Sequence, residues 1–68
     1  MLTLEQARKR KALTQRDVAV LAGVSKTTIL NIEKGQTPLL SIRRKIAQAL
    51  GVPPDEIAWP DPVAANDQ

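Results

Sequence analysis

Residues 14–35, Thr-Gln-Arg-Asp-Val-Ala-Val-Leu-Ala-Gly-Val-Ser-Lys-Thr-Thr-Ile-Leu-Asn-Ile-Glu-Lys-Gly, constrain the fold more than any other stretch of the chain. Two short apolar stripes at helical spacing flank Gly23, so the segment predicts two amphipathic helices joined by a tight turn. The turn needs a residue that tolerates left-handed geometry, which Gly23 supplies. Helices that cross steeply need a small residue at the crossing, which Ala19 supplies. Val18, Val24, Ile29 and Ile32 are the branched aliphatics for the core between them. The second helix then presents lysine, threonine and asparagine outward. In a basic chain, such a hydrogen-bonding helix face suits the major groove of DNA.

The rest of the chain extends this helical pattern. Leu4 to Lys11 predicts a first helix, with Thr3 as N-cap, Gln6 at the capping-box position, and Leu4, Ala7, Arg8 and Lys11 on one face. The second helix, about Gln15 to Ala22 behind Thr14, is expected to bury Val18, Ala19, Leu21 and Ala22. The third begins after Ser25 and buries Ile29 and Ile32. A fourth, from Leu40 or Ser41 to Leu50, carries Ile42, Ile46, Ala49 and Leu50 on its inner face. Pro53-Pro54-Asp55-Glu56 suits the first turn of a short fifth helix that presents Ile57 and Trp59 to the core. Gly23, Gly35 and Gly51 each follow a helical pattern, and no segment alternates with a strand period. The expected architecture is an all-α, compact four- to five-helix bundle over residues 1–59, with 60–68 as a flexible, disordered C-terminal tail.

Composition bounds the function. With 68 residues, folding buries only about 60% of the surface of the unfolded chain, so the core must be efficient. It has neither cysteine nor histidine, so a disulfide framework and a structural zinc site are excluded in practice, and no metal or cofactor is expected. Met1-Leu2-Thr3 runs straight into a charged segment, which predicts no secretory leader, and the longest apolar run, Val18 to Ala22, is far short of a membrane span. A cytoplasmic, nucleoid-associated setting is the expectation. Residues 1–52 hold all ten Lys and Arg against Glu5, Asp17 and Glu33, a net +7. Residues 53–68 hold Asp55, Glu56, Asp61 and Asp67 and no base, a net −4. A basic body of this kind points toward a polyanionic partner, although charge alone fits a solvated surface equally well.

An enzyme fits poorly. Tyrosine is absent as well as histidine and cysteine, no serine has a base partner, and the scattered glycines cannot cradle a phosphate. Asp55-Glu56 is explained by complementarity to a helix start. The stronger competitor is a helical protein-interaction module, for instance an antitoxin-like partner in which DNA binding is secondary.

The motifs Leu13-Thr14-Gln15, Ala22-Gly23-Val24-Ser25, Ile29 to Gly35, and Lys45-Ile46-Ala47 to Gly51-Val52 together resemble the Cro/C1-type (Xre-like) helix-turn-helix family of phage and bacterial regulators, of the lambda-repressor-like fold. The resemblance runs from about Leu4 to Trp59. It implies sequence-specific binding of double-stranded DNA, as a repressor, by a homodimer on a palindromic site, without a small-molecule ligand. It puts base contacts at Lys26, Thr27, Thr28 and Asn31 on the third helix. Backbone contacts are expected at Gln15, where the family glutamine bonds a phosphate, and at Lys34, Arg43 and Arg44. Arg8 on the inner face of the first helix and Glu33 beside Ile29 and Ile32 are expected to pair, as matching positions do in relatives. Leu39, Leu40 and Trp59 are the expected dimer surface, ordinary packing under the fourth helix being the alternative for the two leucines. Five positions depart from the pattern: Ala12 where glycine is common, Arg43 and Arg44 where leucine is frequent, and Val20 and Leu30 pointing outward where polar residues are usual.

Overall fold

Four α-helices and one 3-10 turn make up the computed structural model, which describes residues 1–60: α1 Leu4–Arg10, α2 Gln15–Ala22, α3 Lys26–Glu33, α4 Leu40–Leu50 and the turn Pro54–Glu56. The tail expectation, from residue 61 on, lies outside the described residues. There is no strand among the described residues, only an isolated parallel bridge between Leu2 and Ile57, where the Ala58 N–H donates to the Leu2 carbonyl at 2.7 Å. No helix among them is long and apolar enough to cross a membrane.

Local chemistry sets each helix start. Thr3 Oγ1 accepts from the Gln6 N–H at 3.1 Å while Gln6 Oε1 accepts from the Thr3 N–H at 3.0 Å, a complete capping box. Thr14 and Asp17 form a second box at the head of α2, with distances of 2.9 and 3.0 Å. Hydrogen bonding from Thr14, its backbone N–H first and its side chain second, holds the exposed Asp17 carboxyl below its ordinary range. Ser25 caps α3 by accepting from the Thr28 N–H at 3.1 Å. The head of α4 has no side-chain cap.

The helix ends are less uniform. Gly23 leaves α2 at φ +73°, and the next N–H, that of Val24, donates back to the Ala19 carbonyl at 3.0 Å, which closes the turn between α2 and α3. The exit from α1 has no such residue. Ala12 adopts φ +58°, a conformation in which the Cβ of an L-residue crowds the following carbonyl. This exit ends α1 at Arg10 and leaves Lys11, expected on the inner face, as an exposed cap. Relieving the strain should outweigh the entropy that glycine adds to the unfolded chain. Ala12→Gly is therefore expected to stabilise the domain by about 0.5–1 kcal/mol and to raise Tm by a few degrees in a circular-dichroism melt. A lower Tm would contradict the strain argument.

The core is one cluster: Leu4, Ala7, Val18, Ala19, Ala22, Ile29, Ile32, Ile46, Ala47, Leu50 and Ile57. Helix α2 packs on both α3 and α4, α1 packs on α3, and the 3-10 turn packs on α4. Val18, Ile29 and Ile46 are completely buried at the junction of α2, α3 and α4. Leu21 is not part of the core as expected; it is 59% exposed. Val18, Ala19 and Ala22 define the buried stripe of α2, and Leu21 lies about 100° around the helix from its centre. Ala47 replaces Ala49 among the fully buried residues of α4, and Ile42 and Ala49 are half-buried at the edge. The expected fifth helix is only the three-residue 3-10 turn. It delivers Ile57 to the core, and Trp59 packs half-buried against it with its indole N–H donating to the Pro54 carbonyl at 2.8 Å.

Candidate nucleic-acid interface

Helix α3 divides cleanly into two faces. Ile29 and Ile32 are buried in the core, where α3 packs on α2 and α1, while Lys26 and Thr27 are exposed at its start and Lys34 is exposed at its cap. Thr28, Leu30 and Asn31 are half-buried between these limits. The outward residues thus span two turns, about 12 Å, comparable with the width of the major groove. Asn31 takes no side-chain partner among the described residues, which leaves its amide available for a base edge. The Thr28 hydroxyl is 2.9 Å from Ser25 Oγ, so this group is tied to the N-cap, while its methyl remains a contact surface.

The helix is held from behind by a charged cluster. Arg8 Nε donates to Glu33 Oε2 at 2.7 Å and Arg8 Nη2 to Glu33 Oε1 at 3.2 Å, a two-point pairing across α1 and α3. The two side chains are only 10% and 7% exposed. Arg8 Nη1 donates to the Leu13 carbonyl at 2.8 Å, which fixes the strained exit of α1 to the same guanidinium. Bonding to Glu33 raises the Arg8 pKa against the opposing effect of burial, so the group stays charged. Gln15 joins this cluster: its Nε2 donates to Glu33 Oε1 at 3.0 Å. One carboxylate therefore receives donors from α1 and α2 while belonging to α3. Gln15 is half-buried at the head of α2, and the second hydrogen of its Nε2 remains as a donor.

The loop after α3 contributes residues that sequence reasoning missed. Gln36 and Thr37 line one hollow with Thr28, Asn31, Pro38, Leu39 and Ile42, and the Gln36 N–H donates to the Asn31 carbonyl at 2.9 Å. The signal available was position alone: two polar residues directly after the Gly35 turn. Arg43 and Arg44 lie on α4, where they line a shallow hollow with Leu40, Pro54, Asp55 and Trp59. Arg43 is half-buried and its Nε donates to the Pro38 carbonyl at 3.2 Å, so it braces the loop that follows α3. Leu39 and Leu40 are 74% and 65% exposed, which disposes of ordinary packing under α4 as their role.

The family model for the Cro/C1-type helix-turn-helix matches residues 4–57, from the first residue of α1 through the buried Ile57. The chain belongs to the helix-turn-helix family. A protein of Methanothermobacter thermautotrophicus described as an uncharacterized HTH-type transcriptional regulator is 41% identical over 49 residues, which is 71% of this chain and 71% of that protein. In a helix-turn-helix the two helices around the glycine turn are the operative unit. Here those helices are α2 and α3, with Gly23 between them.

Proposed function

We propose that the chain is a transcriptional regulator, a repressor, that binds double-stranded DNA sequence-specifically by placing α3 in the major groove. The observation that carries this reading is the outward face of α3, Lys26, Thr27, Asn31 and Lys34, backed by the buried Arg8–Glu33 pair. Lysine donates to guanine O6 and N7, asparagine pairs bidentately with adenine, and a threonine methyl packs on the thymine methyl. Lys26, Thr27, Thr28 and Asn31 are the proposed base contacts. The start of α2 offers backbone N–H groups and the Gln15 amide to a phosphate.

Lys34, Arg43 and Arg44 are the proposed cationic phosphate contacts. A cation that neutralises one phosphate contributes about −0.9 to the slope of log affinity against log salt. Lys34→Ala is therefore expected to make that slope shallower by about 0.9 and to weaken all duplexes alike. The check is a fluorescence-anisotropy titration over a salt series, repeated for Arg43→Ala and Arg44→Ala. A residue whose replacement leaves the slope unchanged makes no such contact.

The proposed assembly is a two-fold dimer on a palindromic site. One recognition helix reads only a few base pairs, too few to single out a site in a genome, whereas two helices one DNA turn apart, roughly 34 Å, double the contacts. The exposed Leu39 and Leu40, with Trp59 and Pro54 beside Leu40, form the surface offered for self-association. Sedimentation of the chain with a selected duplex is expected to give two chains per site, and Leu40→Arg is expected to reduce this to one. One wild-type chain per asymmetric site would refute the dimer.

A further inference from the structure

We propose that the hollow between α3 and the head of α4 is a second base-reading element, which takes the major-groove edge of one A·T pair beyond the base read by Asn31. The inference rests on α3 being the helix that enters the groove. Thr28 and Asn31 line the hollow from α3, Gln36 and Thr37 from the loop, and Pro38 and Ile42 give it an apolar floor. Asn31 belongs both to the outward face of α3 and to this hollow, so the two surfaces are continuous. The loop is fastened at three points. The Gly35 N–H donates to the Ile32 carbonyl at 3.0 Å, the Gln36 N–H to the Asn31 carbonyl at 2.9 Å, and Arg43 Nε to the Pro38 carbonyl at 3.2 Å. Pro38 itself is buried. Gln36 is therefore carried on backbone already tied to Asn31, which leaves little ordering cost for binding.

The chemistry of the lining selects the ligand. Among the described residues no lysine, arginine, aspartate or glutamate lines the hollow, so it holds no cation to neutralise a phosphate. The Gln36 side chain is exposed, and neither its amide nor the Thr37 hydroxyl takes a hydrogen-bond partner among the described residues. An amide with a free donor and a free acceptor pairs bidentately with adenine N7 and N6. The same A·T pair carries the thymine methyl on its groove edge, and Ile42 with Pro38 offers that methyl an apolar seat. A G·C pair has no methyl for the seat and sets guanine O6, an acceptor, against the amide oxygen.

The test selects bound molecules from a random duplex pool with the full chain, with Gln36→Ala and with Asn31→Ala, then titrates each protein against the selected site. Gln36→Ala keeps the backbone N–H that fastens the loop and is expected to melt with the parent. It should lose an A·T preference at one base position, different from the position that Asn31→Ala loses, and bind the parent's site about 5- to 150-fold more weakly. Replacing the thymine at that position by deoxyuridine removes only the methyl, and is expected to weaken parent binding by about three- to fivefold. A Gln36→Ala pool that keeps every position would overturn the inference while leaving α3 as the reading helix. Equal weakening on every duplex would overturn it by assigning Gln36 to the backbone, and loss at the Asn31 position would do so by making Gln36 a support for Asn31. Deoxyuridine that binds as well as thymine would empty the methyl seat. A parent pool without any motif would fail the reading by α3 itself, and the hollow with it.

Discussion

Glu33→Gln is expected to destabilise the domain by about 3–5 kcal/mol, because it leaves the Arg8 guanidinium buried without its counter-charge. An exposed pair would be worth less than about 1 kcal/mol, so burial decides the magnitude. Both side chains are at least nine-tenths covered, and the same carboxylate also accepts from Gln15. Three contacts are weakened by one substitution: the two from Arg8 and the one that positions Gln15. In a chain of this size a loss of that order lowers Tm by roughly 15 °C or more and leaves little folded protein at 37 °C. Thermal unfolding by circular dichroism reads this directly, and a variant melting with the parent would mean that the pair does not hold α3. Glu33→Gln protein kept folded at low temperature should also bind duplex more weakly, since α3 and the Gln15 amide lose their shared anchor.

Asn31→Ala has a different signature. The residue is half-buried on the outer face of α3 with an unpartnered amide, and its Cβ contacts survive the truncation. Stability should change little. Binding to a selected site should fall by about 1–3 kcal/mol, roughly 5- to 150-fold, with preference relaxed at one base position and retained at the others. Comparative titration against single-base variants of the site distinguishes this from a general loss. Uniform weakening on every sequence would assign Asn31 to the backbone and not to a base.

The two effects differ in how far each was legible in the sequence. The caps Thr3, Thr14 and Ser25 and the Gly23 turn depend on residues within a few positions of each other, and the structure forms them as the spacing predicts. The aliphatic stripes located Val18, Ile29 and Ile46 for the same reason. Failures came where a short helix leaves its stripe ill defined. On an eight-residue α2 the edge residue Leu21 is indistinguishable from a core leucine until the position of α4 is known. The strained Ala12 was visible only as a missing glycine, and its sign of φ needed the structure. The Gln15–Glu33 bond, spanning 18 residues, arises from the crossing of α2 and α3 and has no local signature. Leu39 and Leu40 could have been core or surface by pattern. Their exposure in the fold decides: they stand at the head of α4, Leu39 as its N-cap and Leu40 as its first residue, and both are exposed.

The central claim, that α3 reads DNA sequence, is tested most directly by selecting bound molecules from a random duplex pool with the full chain and, in parallel, with Asn31→Ala. The account predicts that the parent enriches a two-fold symmetric motif with half-site centres about 10 base pairs apart. It also predicts that the variant loses information at one symmetry-related position while keeping the rest. A parent pool that gains no motif over many rounds, with binding that depends only on salt, would contradict it.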